Sequence, residues 1–236
     1  MQCTEKDEFA YHEMIAHVPL FAHPSPKTVL IVGGGDGGTL REVAKHPEVE
    51  EIHLCEIDEK VIEVSKKYLP SVSVGFSSPK LTVHIEDGIK FMEKYSEKFD
   101  VIITDSSDPI DDSDLAAPLY EKPYYELTNI ALKPGGILCC LGDCLFTDLP
   151  FMKECTETLR SVFPVVGYSS TTVSTYACGQ VGFLLAGKDK NTMLQKPVRG
   201  ATEAQVKEFG LRYYNYDVHC SSFVLPQFAQ ELNMNS

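Results

Sequence analysis

Short apolar runs that end in glycine or an acid recur along the first half of the chain, each followed by apolar positions at helical spacing. Thr28-Val29-Leu30-Ile31-Val32 runs straight into Gly33-Gly34-Gly35-Asp36-Gly37-Gly38, after which Leu40, Val43 and Ala44 share a helix face. Ile52-His53-Leu54-Cys55 ends in Glu56, and Asp58 stands where an N-cap belongs, ahead of Val61, Ile62 and Val64. Leu81 to Ile85 ends at Glu86-Asp87-Gly88 and leads into a short helix through Phe91 and Met92. Phe99 to Thr104 forms the next strand and delivers Asp105 to its C-terminal end. Pro123 starts a helix carrying Leu127 and Ile130, Lys133-Pro134-Gly135-Gly136 turns the chain into a strand from Ile137 to Leu141, and a helix with Leu149, Met152, Cys155 and Leu159 follows.

Strands alternating with helices predict an α/β fold, a Rossmann-like doubly wound sheet that is mostly parallel. The β-rich runs Val165 to Val173 and Gln180 to Ala186 are separated only by a short turn holding Tyr176-Ala177-Cys178-Gly179, with no room for a crossover helix. They are expected to pair antiparallel at one sheet edge. Residues 188 to 210 read as a polar connection with a turn at Lys196-Pro197, before a C-terminal helix ending near Leu232. No internal repeat or second domain boundary stands out.

Composition narrows the classes. The chain has 236 residues, 43% of them hydrophobic, which supplies one sizeable core. Its apolar runs are far shorter than the roughly 20 residues of a membrane span and no secretory leader opens it, so no membrane association is expected and the cytosol is the expected compartment. The eight cysteines include no CxxC pair, and Cys139, Cys140 and Cys144 lie in or beside a buried strand, so most are expected as small core hydrophobes and no metal is expected. A net charge of −13 disfavours nucleic acid and anionic surfaces and suits a small polycation, although solubility alone also accounts for an acidic surface.

Candidate chemistry gathers at the strand ends. Gly33, Gly35 and Gly38 fit GxGxxG, and Glu56 closes the next strand, where an acid accepts hydrogen bonds from ribose hydroxyls. That implies an adenosine cofactor and leaves a nicotinamide dinucleotide and S-adenosylmethionine or its relatives open. Asp36 inside the glycine loop repels a pyrophosphate and attracts an ammonium or sulfonium, which points to a cationic ligand. Asp87-Gly88 suits an adenine edge, but Asp87 also suits a helix cap. Asp105 and Asp108 provide a proton acceptor and an anchor for an amine; the other reading is a turn closed by Asp side chains before Pro109.

Taken together, Asp7-Glu8-Phe9-Ala10-Tyr11-His12-Glu13-Met14-Ile15, the GGGDGG loop, Cys55-Glu56-Ile57-Asp58, Asp87-Gly88, Thr104-Asp105-Ser106-Ser107-Asp108-Pro109, Thr175-Tyr176 and Tyr213-Tyr214-Asn215-Tyr216-Asp217-Val218-His219 resemble the spermidine synthase family of aminopropyltransferases over nearly the whole chain. The resemblance implies a class I methyltransferase-type sheet and transfer of the aminopropyl group of decarboxylated S-adenosylmethionine to putrescine. It implies no prosthetic group, and a homodimer or homotetramer. By position it makes Asp105 the base, with Tyr11 and Tyr176 lining the amine channel and Asp108 binding the polyamine. It sets Asp36 against the aminopropyl amine, Glu56 on the ribose, and Asp87 with Gly88 on the adenine. His12 stands where relatives carry Gln or His, and is expected either on the cofactor side or as a satisfied structural histidine.

The chain departs from the family pattern at residues 110 to 117, where three acids replace a Gly-Pro turn, and at Ala177, where Pro is usual. Residues 1–6 are expected to be the remnant of an N-terminal β-rich domain, and 7–236 the catalytic domain. Spermine synthesis, putrescine N-methylation and a catalytically weak polyamine-binding subunit remain alternatives. A nicotinamide-dependent dehydrogenase fits poorly with Asp36.

Overall fold

Valine, isoleucine and leucine occupy successive positions on the central strands, a pattern stable only where both sheet faces are covered. The computed structural model describes residues 3–107 and 116–233. In chain order the elements are α1 (Glu8–Ala22), β1 (Thr28–Gly33), α2 (Gly38–Ala44), β2 (Glu51–Glu56), α3 (Glu59–Tyr68), β3 (Leu81–Ile85), α4 (Gly88–Met92), β4 (Phe99–Asp105), α5 (Lys122–Ala131), β5 (Leu132–Gly142), α6 (Leu149–Arg160), β6 (Val165–Thr172), β7 (Gln180–Gly187), α7 (Glu203–Glu208) and α8 (Tyr216–Ser222). The strands form one sheet in the order β3-β2-β1-β4-β5-β7-β6. Alternate residues feed separate cores: Val29, Ile31, Val101 and Ile103 pack with α1 on one face, and Leu30, Val32 and Ile102 pack with α5 and α6 on the other.

The mostly parallel α/β sheet agrees with the sequence reading. β6 and β7 pair antiparallel, and β7 also runs antiparallel to β5, so the reversed strand lies second from the edge and β6 is outermost. The strand order reverses between β1 and β4, where Gly33 is in register with Asp105. Ligand sites of open α/β sheets lie at such a switch point, outside the strand C-termini.

Three local expectations change. β5 begins at Leu132 rather than Ile137, because Leu132 pairs with Phe99 before the register shifts, and Lys133-Pro134-Gly135-Gly136 is an excursion within the strand rather than a turn ahead of it. The polar connection contains α7, started by a capping box of Thr202 and Gln205. The expected C-terminal helix is divided into α8 and a 3₁₀ segment Gln227–Asn233, with Pro226, which has no N–H to donate, between them. On α3, Ile62 is buried while Val61 and Val64 face outward. Cys55, Cys139, Cys140, Cys144 and Cys155 are buried free thiols, as the composition suggested, and Cys178 is exposed. Among the described residues, no helix is long and apolar enough to cross a membrane.

Helix α1 packs across the sheet and ties in the C-terminal segment. Buried Glu13 accepts the backbone N–H groups of Arg212, Tyr213 and Tyr214 at 2.9, 2.8 and 2.8 Å. Glu13→Ala would strand these donors, and charge-assisted bonds of this kind contribute about 1.5–3 kcal/mol each. The variant is therefore expected to lose about 3 kcal/mol in urea unfolding, and a loss below about 1 kcal/mol would show that the carboxylate does not hold the segment.

Candidate active site

The β1–α2 loop can cross the end of β4 only because Gly33 has no side chain. Its φ is +80°, and a Cβ there would overlap the carbonyl of Asp105. Gly34 N–H then donates to that carbonyl at 2.8 Å, fixing the loop over the strand. The side chain of Asp105 is framed by two hydroxyls. Tyr11 Oη donates to Oδ1 and Thr39 Oγ1 to Oδ2, each at 2.6 Å. Burial and the nearby Asp36 carboxylate push the Asp105 pKa up more than His12, Thr39 and Tyr11 pull it down.

Asp36 sits differently. Burial opposes its charge, but His12 and the Gly38 N–H more than offset this and hold its carboxyl below the usual range. Gly38 N–H donates to Oδ1 at 2.8 Å, and His12 Nε2 approaches Oδ2 at 3.2 Å. Two neighbouring acids thus acquire unequal strengths: Asp36 keeps its charge and Asp105 is the weaker acid. Environments that separate the pKa values of paired acids divide their roles between charge binding and proton transfer.

Around them, Tyr176 on the β6–β7 turn meets the Tyr11 ring edge-on at 6.2 Å. That turn is anchored from α1's start, since Asp7 accepts from both the N–H and the hydroxyl of Thr175 at 2.8 Å. Glu56 closes β2 and accepts from Asp58 N–H at 3.0 Å, with Gly35 against its carboxylate. Burial raises the Glu56 pKa against the opposing backbone N–H groups, and Asp105 adds to the rise. Asp87 accepts from Ile89 N–H at 2.9 Å and so caps α4, as one of its two readings required, and Gly88 packs against Val32. The glycine loop, Asp36, Glu56, Asp87, Gly88, Asp105, Tyr11, His12 and Tyr176 therefore converge on one lip of the sheet. Asp108 and residues 110 to 115 lie outside the described residues.

Three contributors escaped the sequence reading: Thr39, Glu8 and Arg41. Glu8 accepts from His12 Nδ1 at 2.7 Å, and Arg41 grips both Glu8 oxygens at 3.0 and 2.7 Å. Glu8 and His12, four residues apart on a helix, were a recognisable pair; nothing in the sequence linked either to Arg41 or to Thr39. No group of three or more His, Cys, Asp or Glu among the described residues is placed to hold a metal ion. The lip offers a cation the stronger acid, Asp36, and a proton the neighbouring weaker one, Asp105.

Residues 8–196 match the family model described as spermine/spermidine synthase domain. The chain is 49% identical over 232 residues to spermidine synthase of Schizosaccharomyces pombe, a match covering 98% of this chain and 76% of that protein. It is 50% identical over 235 residues to spermidine synthase of Dictyostelium discoideum, covering 99% and 80%. Among solved structures, it is similar to a spermidine synthase in complex with the transition-state analogue AdoDATO, with a TM-score of 0.87 and 40% identity over 98% of this chain and 77% of that one. Spermidine synthase from Thermotoga maritima gives a TM-score of 0.85 at 41% identity over 98% and 76%.

The hydroxyl frame yields a test. Thr39→Val removes a hydrogen bond that favours the charged carboxylate, so the Asp105 pKa should rise further, which a carbon-detected NMR titration of the carboxyl group reads directly. An unchanged or lower value would contradict the frame.

Proposed function

The chain belongs to the spermine/spermidine synthase family, and on that premise we propose that it is a spermidine synthase, transferring the aminopropyl group of decarboxylated S-adenosylmethionine to putrescine. The products are spermidine and 5′-methylthioadenosine. The observation that carries this reading is the pair of unequal acids at the switch point, Asp36 charged and Asp105 proton-accepting, beneath the paired tyrosines.

The physical logic follows from the acceptor. An alkylammonium has a pKa of about 10 and cannot attack until it loses a proton. Asp105 accepts that proton as the nitrogen lone pair forms its bond to the propyl carbon attached to sulfur. The carbon–sulfur bond breaks, its electron pair returns to sulfur, and the neutral thioether leaves. The positive charge on sulfur disappears in this step, so acids crowded around the sulfur would stabilise the ground state and slow transfer. In our assignment the acids act on the terminal nitrogens instead: Asp36 on the aminopropyl amine, and Asp105 with Asp108 on the acceptor. Tyr11 holds Asp105 in place, and with Tyr176 it forms the wall along which the acceptor lies. Glu56 takes the ribose hydroxyls. Asp87 caps its helix with Oδ1, and Oδ2, which the exposed Lys90 approaches only at 3.9 Å, takes the adenine amino group beside the Gly88 N–H.

We further assign the working assembly as a homodimer or homotetramer in the cytosol, which light scattering and fractionation check.

Incubation with putrescine and, separately, decarboxylated or ordinary S-adenosylmethionine should give spermidine from the first alone; methylputrescine as the sole product would overturn the assignment in favour of N-methyl transfer. Asp105→Asn is expected to lower kcat by about 10³, within the range of general-base contributions, with donor affinity little changed. A loss below about tenfold would remove Asp105 from the base role.

A further inference from the structure

His12 is 3% exposed and sits between two carboxylates, in a chain of contacts that runs from Arg41 through Glu8 and His12 to Asp36. Its two contacts are unequal. The bond to Glu8 is 2.7 Å and buried, whereas that to Asp36 is 3.2 Å, on a carboxylate whose side chain keeps 28% of its surface exposed. The imidazole reaches this position because Gly38 is bare: any Cβ at Gly38 would overlap the ring. The last glycine of the GxGxxG pattern thus serves His12 as well as the Asp36 carboxylate.

We propose that Arg41 and Glu8 are positioning residues that hold His12 against Asp36 as a charge-balancing imidazolium, and that an ammonium group docking on Asp36 displaces this charge, so that binding releases a proton. The inference rests on the donor reading above, in which the aminopropyl ammonium meets Asp36. Asp36 Oδ1 already accepts the Gly38 N–H and Oδ2 faces His12, so an ammonium on this carboxylate shares it with the imidazole. Two cations on one carboxylate repel, and the buried imidazole is the one that can shed its proton to solvent.

The charged groups around His12 fit this exchange. Glu8 lies on its own helix, Asp36 on the glycine loop, Arg41 on α2 and Asp105 on β4; the Cys3 thiol stands near Asp36 and Glu8. Burial opposes the imidazolium, but Asp36, Glu8 and Asp105 outweigh it and push the His12 pKa up to about 10. Neutralising Asp36 with a ligand ammonium removes the largest of these supports, and the burial penalty then favours the neutral ring. Arg41 keeps the other support in place by gripping Glu8 with a planar fork.

Calorimetry at pH 8 in buffers of different ionisation enthalpy tests this on the full chain. Decarboxylated S-adenosylmethionine should release up to about one proton per site, and 5′-methylthioadenosine, which has no ammonium, none. His12→Gln should abolish the release. Arg41→Met, which loosens Glu8 and so weakens the imidazolium that the ammonium must displace, should cut the proton release by about half or more without raising the donor KM, with methylthioadenosine affinity little changed, and Arg41→Lys should recover part of the release. Equal buffer dependence for the two ligands, or release that persists in His12→Gln, would overturn the relay while leaving the donor site intact. Failure of both ligands to bind would overturn the donor reading, and the relay with it.

Discussion

Two carboxylates forced together at the ends of neighbouring structures, Asp36 on the glycine loop and Asp105 on β4, set the condition that the surrounding residues must meet. Burying like charges side by side is costly unless each is compensated by hydrogen bonds or a counter-ion. Here the compensation is unequal. Asp36 receives a backbone N–H and the His12 ring, while Asp105 receives two neutral hydroxyls. In the proposed mechanism this asymmetry divides the pair into a charged anchor and a proton acceptor. It depends on backbone as much as on side chains, since only the close crossing of Gly33 over Asp105 brings the loop to the strand end.

Much of the support comes from a single helix. Successive turns of α1 present Glu8, Tyr11, His12 and Glu13, of which the first three serve the acids and the last secures the segment at residues 212–214. Below them lies a second buried polar cluster. Glu42 on α2 accepts from His17 of α1 at 3.0 Å and from Lys45 at 2.6 Å, and His17 meets His46 at 2.8 Å. Burial works against the Glu42 charge, but His17 and Lys45 hold its pKa far below the usual carboxylate range. Arg41 touches both groups, through Glu8 above and Glu42 below, so the orientation of α1 and the electrostatics of the lip are coupled.

The sequence made the sheet legible because its strands are short apolar runs cut off by glycine or acid, and a strand end is where such residues matter. It also exposed the acids themselves, since Asp36, Glu56, Asp87 and Asp105 each terminate or follow a strand. What it concealed was mostly pairing across distance. Arg41 and Glu8 are 33 positions apart and Thr39 and Asp105 are 66 apart, and no local pattern announces either contact. Turn chemistry misled at Lys133 to Gly136, where a Pro-Gly-Gly signal is absorbed inside β5 by a register shift. Of the two readings of Asp87, the structure displays the helix cap, made by one carboxylate oxygen while the other faces Lys90 at 3.9 Å.

An enzyme that must use a decarboxylated donor faces a discrimination problem, since the ordinary cofactor differs by one carboxylate and is otherwise the same molecule. On the assignment proposed above, the Asp36 carboxylate, held below the usual carboxylate range, answers it by repulsion, a direct way to exclude a near-identical ligand. The most direct test is competitive binding of decarboxylated against ordinary S-adenosylmethionine to the full chain. Like-charge contact of this kind costs several kcal/mol, so the decarboxylated form should bind at least about 100-fold more tightly. Affinities within about threefold of each other would contradict the claim that the charged acid at the lip selects the donor.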